Sequence, residues 1–270
     1  MFARHYLLLL IVTLAPTVSV VFQRETISMN TSTSGNSKPL LYLLGTALFL
    51  CFTSTAKIAS ASSATLTRLL SFGQGNGALP AQRTSLVQGF DGNLYGTTFA
   101  GGPFDCGRIF KLTPAGVLNK IFTFKELDGC GPVGLVLGTD GNFYGTTAHG
   151  GVHGFGTVFR ITPGGSLALL HSFNGIDGAN PRSALVQGRD GNFYGTTKNG
   201  GTGLHGSIFV IGTSGTFTSL YSFAGETYGA NPIAALVPGV DGTLYGTTMN
   251  GGVHGLGTVG PTPLGIPFAT

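Results

Sequence analysis

Four aspartates recur in the same short motif, and they are the first residues whose type and spacing suggest chemistry. Each begins an Asp-Gly-(Asn/Thr)-(Leu/Phe)-Tyr-Gly-Thr-Thr block, and successive blocks lie 49, 50 and 51 residues apart. Regularly spaced carboxylates could bind calcium, but a calcium site needs several convergent oxygen atoms, which a single Asp-Gly-Asn does not supply. A turn role is therefore favoured, because Asp-Gly pairs form tight turns. The predicted turn residues are Asp91, Gly92, Asp140, Gly141, Asp190, Gly191, Asp241 and Gly242.

The other carboxylates do not suggest a catalytic pair. Asp128 and Asp177 fill a second repeated turn position, which leaves Asp105, Glu126 and Glu226 outside the repeated positions. A glycosidase or a lyase needs paired carboxylates or a base with charged partners, and nothing in the spacing nominates such a pair. The sequence therefore predicts no catalytic residues, no cofactor and no enzyme activity.

The histidines offer a metal-binding hypothesis. His153 and His254 share a position in a glycine-rich loop, and His149 and His205 lie nearby in the equivalent loops. Zinc or copper binding at a central channel is one interpretation. However, the first repeat has no histidine, and no two histidines are spaced as a ligand pair on one strand. Loop variation is favoured, and no metal site is predicted.

Four tyrosines and two cysteines complete the candidate residues. The tyrosines could form a ring that stacks on sugars, but they are identical in every copy, which favours packing between repeats. Cys106 and Cys130 both lie in the first full repeat. In an oxidising compartment they could form a disulfide, although the sequence does not fix their separation in space. The tyrosines are Tyr95, Tyr144, Tyr194 and Tyr245.

Each copy extends to a template of about fifty residues that predicts four short strands. In the second copy an apolar run at 134–138 precedes the Asp-Gly turn, and an aromatic and β-branched run at 143–147 follows it. A glycine-rich loop at 150–156 leads to a third run at 157–162. A Pro-Gly-Gly turn then precedes a fourth run, 166–173, that ends on Phe.

Four short strands in each repeat are typical of a propeller blade, whose repeats span roughly 40 to 50 residues. Helical repeats fit poorly, because glycine interrupts every stretch before a helix could form. A parallel β-helix fits the glycine content, but its rungs are usually shorter. The sequence thus predicts an all-β fold, a β-propeller of about four four-stranded repeats. Either a closed four-bladed ring or an open fragment of a larger propeller satisfies the pattern.

The two ends of the repeat region complement each other. Residues 65–72 match only the fourth strand of the template, whereas the last copy leaves the template at Gly260, where the second copy has Phe159. One prediction is that 65–72 lies beside 257–259 and closes a ring, because propellers remove open edges by such an exchange. The irregular tail 260–270 favours the alternative of a truncated member of a larger propeller.

The repeated blocks also carry a resemblance to a known family. Leu-Val-Gln-Gly-x-Asp-Gly-Asn-Phe-Tyr-Gly-Thr-Thr, then Gly-Thr-Val-Phe-x-Ile-Thr-Pro, then Ser-Phe-x-Gly-x-Asp-Gly-Ala-Asn-Pro resembles the GloVer tandem repeat of exported bacterial proteins. The resemblance covers residues 65 to about 259, and the Asp-Gly-Asn-aromatic core is also similar to blades of sensor-kinase periplasmic propellers. It implies an exported protein and supplies no catalytic residues.

The amino-terminal residues 1–61 predict a secretory leader. Lys38 precedes an apolar run at 39–52, and an Ala-Ser-Ala ending reaches Ala61, as in a signal peptide. Met29 is a candidate for the true start. Two membrane segments, at 6–22 and 39–52, are the alternative, but both apolar runs fall short of about 20 residues. Residues 62–259 form the predicted repeat domain, and 260–270 an irregular tail.

Charge and composition narrow the function classes. The whole chain has a net charge of +4, but after residues 1–61 it has 10 basic and 9 acidic residues, so nucleic-acid binding gains no support. No stable membrane span is expected once the leader is removed. The prediction is a secreted, periplasmic or cell-surface binding module, non-catalytic, with a protein or glycan partner. A sensory ectodomain or a carbohydrate-active propeller enzyme is the alternative. The variable loop residues proposed for binding are Asp105, Lys125, Glu126, Lys198 and Glu226.

Overall fold

Strands and tight turns make up nearly all of the structure. A computed structural model describes Phe72, Ala78–Pro80 and residues 86–261, all of which belong to one compact unit, Leu66–Thr270. The predicted leader 1–61, the alternative start Met29 and most of the tail 260–270 lie outside the described residues. Among the described residues, no helix is long and apolar enough to cross a membrane.

The strands form four antiparallel sheets, one for each repeat, and every neighbouring pair within a sheet is antiparallel. Sheet 1 consists of β1 Ala78–Pro80, β2 Val87–Gln88, β3 Leu94–Ala100, β4 Arg108–Leu112 and β5 Leu118–Thr123. Sheet 2 consists of β6 Cys130–Leu137, β7 Phe143–His149, β8 Thr157–Ile161 and β9 Leu167–Ser172. Sheet 3 consists of β10 Ala179–Pro181, β11 Val186–Gln187, β12 Phe193–Asn199, β13 Ser207–Ile211 and β14 Phe217–Ser222. Sheet 4 consists of β15 Val237–Pro238, β16 Leu244–Thr248 and β17 Thr258–Pro261.

Each complete sheet follows the order in which its strands occur in the sequence. Sheet 2 has the order β6-β7-β8-β9, so the Phe-Tyr-Gly-Thr-Thr strand lies between the apolar first strand and the third strand. This confirms the predicted all-β fold with short strands repeated every fifty residues. Two short 3₁₀ turns, Glu126–Asp128 and Glu226–Tyr228, follow the fourth strands of sheets 1 and 3.

The first strand of each repeat is longer or more divided than the sequence suggests. In sheet 3, β10 and β11 both pair with β12, whereas in sheet 2 one continuous strand, β6, spans the same positions. A register shift between Pro132 and Gly134 marks the corresponding irregularity in β6. Proline has no N–H to donate to a ladder, which explains why the pairing is interrupted at this position.

A bulge recurs at one position between the third and fourth strands. It lies between Ile109 and Phe110, between Val158 and Phe159, and between Ile208 and Phe209. A β-bulge bends the strand and increases its twist. Because the bulge is repeated, the three complete sheets have equivalent shapes.

Aromatic residues pack the sheets onto one another. The Phe that ends a fourth strand lies against the Phe of the third strand in the next sheet: Phe124 on Phe159 at 5.2 Å and Phe173 on Phe209 at 5.3 Å between ring centroids. All four rings are fully buried. The core thus lies between successive sheets.

The prediction for the ends of the repeat region is tested only at Phe72, because residues 65–71 lie outside the described part. The Phe72 ring lies 5.2 Å from Phe110, the same geometry as the pairs between later sheets. Phe72 therefore occupies the position of a fourth-strand Phe that precedes sheet 1. Within the described residues, β17 pairs with β16 on one side and with no strand on the other.

Candidate functional site

The repeated aspartates lie in the hairpins between the first and second strands. In sheet 2, Asp140 Oδ1 accepts a 3.1 Å hydrogen bond from the backbone N–H of Asn142, and Oδ2 accepts one of 2.8 Å from the Asn142 side-chain amide. Gly141 follows Asp140 with φ +81°, a conformation that favours glycine. The oxygens of these carboxylates therefore accept hydrogen bonds within their own turns. The equivalent turns are Asp91-Gly92, Asp190-Gly191 and Asp241-Gly242.

The repeated tyrosines connect these turns to the packing between sheets. The Tyr144 hydroxyl donates a 2.8 Å hydrogen bond to Asp140, and its ring stacks on Phe193 of the next sheet at 3.9 Å. Tyr95 contacts Phe143 in the same way at 4.2 Å. Rings packed between sheets are not available for sugars. The one tyrosine of the set that is not buried is Tyr245, in sheet 4.

These contacts shift the acidity of both partners. Burial, together with the hydrogen bond to the aspartate, raises the pKa of Tyr95, Tyr144 and Tyr194 to about 12. The hydrogen bond from Asn93 lowers the pKa of Asp91. Burial opposes ionisation of Asp140, but the hydrogen bonds from Asn142 and Tyr144 outweigh it and lower its pKa. At neutral pH the Tyr95–Asp91 and Tyr144–Asp140 pairs therefore consist of an uncharged tyrosine and an aspartate anion.

The opposite end of the sheets carries most of the variation between repeats. Here the glycine-rich loops join second to third strands, and the loops after the fourth strands lead into the next sheet. We call this surface the loop face, and the end with the Asp-Gly turns the turn face. The glycine-rich loops are residues 101–107, 150–156, 200–206 and 251–257, and the connecting loops are residues 125–129, 174–178 and 224–229.

Backbone hydrogen bonds connect the loops of the loop face to each other. The N–H of Asn180 donates to the carbonyl of Phe155 at 2.8 Å, and that of Asn231 donates to the carbonyl of His205 at 2.7 Å. The N–H of Gly151 donates to the carbonyl of Glu126 at 2.7 Å. The first three glycine-rich loops are thus hydrogen-bonded to the connecting loop before them or to the first strand of the next sheet.

Every repeat exposes a large apolar side chain on this surface. These side chains are between 60% and 88% exposed, on both kinds of loop. On the turn face the residue before each aspartate is apolar only in the first and last copies, as Phe90 and Val240, and is Thr139 or Arg189 in the middle two. The apolar residues of the loop face that are at least 60% exposed are Phe104, Leu127, Val152, Ile176, Leu204, Tyr228, Val253 and Leu256.

A row of side-chain amides crosses the loop face from sheet to sheet. Four asparagines and one histidine form it: the amides of Asn250, Asn231 and Asn199 each donate to the asparagine before them in the sequence, and the Asn180 amide contacts His149. The Nδ2 to acceptor distances are 3.0 Å from Asn250 to Asn231, 3.2 Å from Asn231 to Asn199, 3.1 Å from Asn199 to Asn180 and 3.2 Å from Asn180 to His149 Nδ1.

Backbone carbonyls set the direction of this row. Asn180 Nδ2 also donates to the carbonyl of Ala148 at 3.0 Å, and Asn231 Nδ2 donates to that of Lys198 at 2.9 Å. Reversing either amide would bring two oxygens together. Asn180 and Asn231 have φ values of +54° and +57°, which asparagine tolerates better than most residues.

The row ends in a charged environment. His149 Nε2 lies 3.1 Å from Arg182 Nη2, and the Arg182 guanidinium lies 5.8 Å from the centre of the Phe99 ring. Burial, and then the Arg182 cation, lowers the pKa of His149, while the Glu126 carboxylate acts in the opposite direction. At neutral pH His149 is therefore uncharged, and only one of its two ring nitrogens can accept a hydrogen bond.

Cys106 and Cys130 lie close to this end and are joined by a disulfide across 24 positions. Glu126 Oε2 is 3.4 Å from Cys130 Sγ. The three donor atoms lie within 4.8 Å of one another, the spacing of a metal site. A disulfide does not offer two thiolates, so the cluster is not a ligand set in this state.

The histidines proposed for a metal centre are not brought together. Within the part of the chain that the structure describes, no histidine belongs to a group of three ligating side chains close enough to share an ion. His171 bonds Asp177 at 3.0 Å and stacks on Phe217 at 3.8 Å. Burial lowers the pKa of His171 although Asp177 opposes this, so the contact at neutral pH is a hydrogen bond between an uncharged ring and a carboxylate.

The amide row was not predicted from the sequence. Its signal was the repeated Gly-Ala-Asn-Pro, at 178–181 and 229–232, together with asparagine or histidine after three of the Thr-Thr pairs. Of the predicted variable loop residues, Lys198 lies beside the row through its carbonyl, and Glu126 lies beside the disulfide. Asp105 Oδ1 accepts a 2.7 Å hydrogen bond from the N–H of Gly101 within its loop.

Comparison with solved structures shows similarity to proteins of different kinds. A gluconolactonase from Xanthomonas campestris has 14% identity over 68% of this chain and 63% of its own, with a TM-score of 0.44. The extracellular domains of a hybrid two-component system and of a one-component system from B. thetaiotaomicron have 16% and 13% identity. They cover 70% and 71% of this chain, with a TM-score of 0.47 for both.

The chain spans less than two thirds of the length of the gluconolactonase and 23% of the length of each extracellular domain, so no activity of these proteins is carried over to it. The sequence-based prediction that the protein is not an enzyme was wrong. Gluconolactonases are among the solved structures that the chain resembles.

Family membership rests on the repeat itself. A comparison with curated proteins finds no significant match. The model of the Gloeobacter/Verrucomicrobia repeat matches residues 54–260, which include all four Asp-Gly turns and all four sheets. The family resemblance seen in the sequence is thereby confirmed, and the chain belongs to the Gloeobacter/Verrucomicrobia repeat family.

Proposed function

We propose that this protein is an exported binding module that recognises a protein partner through its loop face. One observation carries the proposal: all four repeats expose at least one large apolar side chain on the same surface. Recurrent exposed apolar side chains on one surface are typical of protein–protein interaction sites. The middle repeats do not show this at the aspartate turns of the turn face, where Thr139 and Arg189 replace Phe90 and Val240.

The amide row supports the same function by holding the loops in place. It runs from Asn250 to His149 and is fixed at two points by backbone carbonyls. A surface that is rigid before binding loses less conformational entropy when the partner docks. Arg182, beside Phe99, adds a cation at one end, a residue type enriched in interfaces.

A substitution series with a matched control tests the proposal. The loop-face variant carries Val152→Ser, Ile176→Ser and Leu204→Ser, and the turn-face control carries Phe90→Ser, Val117→Ser and Val240→Ser. All six side chains are exposed, so both variants should fold, which circular dichroism checks. Retention on the cell-envelope fraction of the source organism is then measured. The loop-face variant should bind about 10-fold more weakly than wild-type protein, or weaker still, whereas the turn-face control should bind as the wild type does.

The chemical class of the partner is decided with the same fraction. Digesting the envelope fraction with a protease before binding should abolish retention, because the proposed partner is a protein. Retention that survives protease but is lost after glycan cleavage would overturn the protein class in favour of a glycan. Equal binding by the two variants would overturn the role of the loop face.

The sheets are proposed to be blades of a β-propeller. The support is the equivalent strand order and bulge in each complete repeat, and the repeated packing of a fourth-strand Phe on the next sheet. In a propeller, loops at one end of the blades come together around the axis. The loop face would then be one continuous binding surface.

Export is proposed to proceed through residues 1–61. The Ala-Ser-Ala ending at Ala61 after an apolar run supports cleavage there and a mature start at Ser62. Amino-terminal sequencing of protein released from a bacterial host should find Ser62 first. Intact residues 30–60 in a membrane fraction would contradict it.

A further inference from the structure

The contacts between successive sheets follow one rule. We call each packing interface between two successive sheets a joint, and the rule identifies one joint of which only the two separate sides are present. The second-strand tyrosine of each sheet packs on the first residue of the second strand in the next sheet. Tyr95 contacts Phe143 and Tyr144 contacts Phe193, with ring centroids 4.2 and 3.9 Å apart. Tyr194 and Leu244 belong to one buried cluster at the third joint.

Sheet 4 presents the tyrosine side of a further joint without its counterpart. Tyr245 is 36% exposed, whereas the equivalent Tyr144 is fully buried. Val259 is 82% exposed, whereas Val158, at the same register position in sheet 2, is fully buried. Gly260 stands where the other sheets have a Phe, and a cavity of about 630 Å³ lined by Tyr245, Val259 and Gly260 opens here.

Sheet 1 presents the opposite side of the same joint. Leu94 occupies the position that receives a tyrosine, and it is only partly buried, while Phe143, Phe193 and Leu244 are buried. Phe110 receives Phe72 as Phe159 receives Phe124. Sheet 1 is therefore preceded by a fourth-strand Phe, and sheet 4 has no fourth strand among the residues that the structure describes.

We propose that sheet 1 of one copy of this chain docks on sheet 4 of a second copy. Leu94 then covers Tyr245, and Phe72 lies at the free edge of β17. The new joint repeats the packing already present three times within the chain. A second copy is favoured over closure within one chain, because Tyr245 and Val259 are exposed although sheet 1 of the same chain is present.

The contact is head to tail, since different surfaces of the two copies meet. Such a contact either closes a ring of a few copies or continues as a chain. Burying an unpaired edge strand removes a site at which other chains could pair. The association therefore completes the repeat packing without requiring a change in any sheet.

Cysteine cross-linking tests the joint directly. Purified Leu94→Cys and Tyr245→Cys proteins are oxidised separately and as a mixture, and run on a non-reducing gel. A covalent dimer band is expected from the oxidised mixture and from neither protein oxidised alone. Wild-type protein gives the background from the native cysteines. A mixture of Tyr245→Cys with Val152→Cys, which places the thiol on an exposed loop of sheet 2 and therefore outside the proposed joint between sheets 1 and 4, is the matched control.

The state in solution provides the second measurement. Light scattering should give wild-type protein a mass of at least two chains. A variant that carries both Tyr245→Asp and Val259→Asp should have the mass of one chain. Both altered residues are exposed, so the variant should keep its circular dichroism spectrum. The proposal is overturned by a monomeric wild type, or by a Leu94→Cys/Tyr245→Cys protein that cross-links within a single chain.

Discussion

The hydroxyl of Tyr144 donates a 2.8 Å hydrogen bond to Oδ2 of Asp140, four residues earlier, while the same ring stacks on the following sheet. One residue thereby fixes the turn of its own repeat and the distance to the next. The pair recurs in all four repeats, with hydroxyl to carboxylate distances of 2.7 to 3.0 Å. The repeat motif is thus a unit of both local and inter-sheet structure.

Removing this hydroxyl should destabilise the protein in a position-dependent way. Tyr144→Phe keeps the packed ring but loses a hydrogen bond to a charged group, which costs about 1.5 kcal/mol. Tyr245→Phe makes the same chemical change at an exposed position and should cost clearly less. Urea unfolding of both variants measures the difference. A larger loss for Tyr245→Phe would contradict the structural role assigned to the buried pairs.

The tyrosine pKa values predict an alkaline loss of stability. The folded pKa of Tyr95, Tyr144 and Tyr194 is about 12, above the ordinary value of 10.0. Between these values the unfolded chain releases protons that the folded protein keeps, so the contribution is complete below pH 10 and disappears as the pH rises towards about 12. Urea unfolding at increasing pH should show this decline, and tyrosinate absorbance should titrate late.

A variant separates the two causes of this shift. Asp140→Asn removes the carboxylate but leaves the burial, so part of the increase in the Tyr144 pKa should disappear and tyrosinate should form at a lower pH. An unchanged titration curve would mean that burial alone raises the pKa of Tyr144.

Two glycines with open surroundings isolate the effect of backbone conformation. A Cβ at Gly191 meets nothing within 4 Å, and one at Gly164 meets only Thr162 Oγ1 at 3.8 Å, but Gly191 alone has a positive φ, of +81°. Gly191→Ala should cost about 1 kcal/mol, whereas Gly164→Ala should be neutral or slightly stabilising. Thermal melts of the two variants compare them. Equal melting temperatures would show that the turn relaxes to accept a side chain.

The disulfide should stabilise the first two sheets together. Closing a loop across 24 positions contributes about 3 kcal/mol through the unfolded state. A protein with both Cys106→Ala and Cys130→Ala should lose this amount in urea unfolding, and a reducing agent should not destabilise it further. Wild-type protein that is equally stable with and without reducing agent would show that the bond does not form in solution.

The sequence predicted the features that repeat. Asp140 and Gly141 identify their turn through local chemistry, and the fourth-strand Phe124 is identified by its fifty-residue period. The amide row was not predictable in the same way, because Asn180 and His149 meet across 31 positions in two different sheets. The disulfide was left open for the same reason, since only the fold brings Cys106 to Cys130. Those contacts lie on the loop face, where the repeats differ most.

Site-specific photo-crosslinking tests the central claim most directly, namely that the loop face is the binding surface for a protein. A benzophenone amino acid replaces Phe104 or Leu204 on the loop face, and Phe90 or Val117 on the turn face, and each protein is irradiated with the envelope fraction of the source organism. The two loop-face positions should yield one protein adduct of the same mass, and the two turn-face positions none. The absence of an adduct from the loop face, or the same adduct from the turn face, would contradict the proposed function.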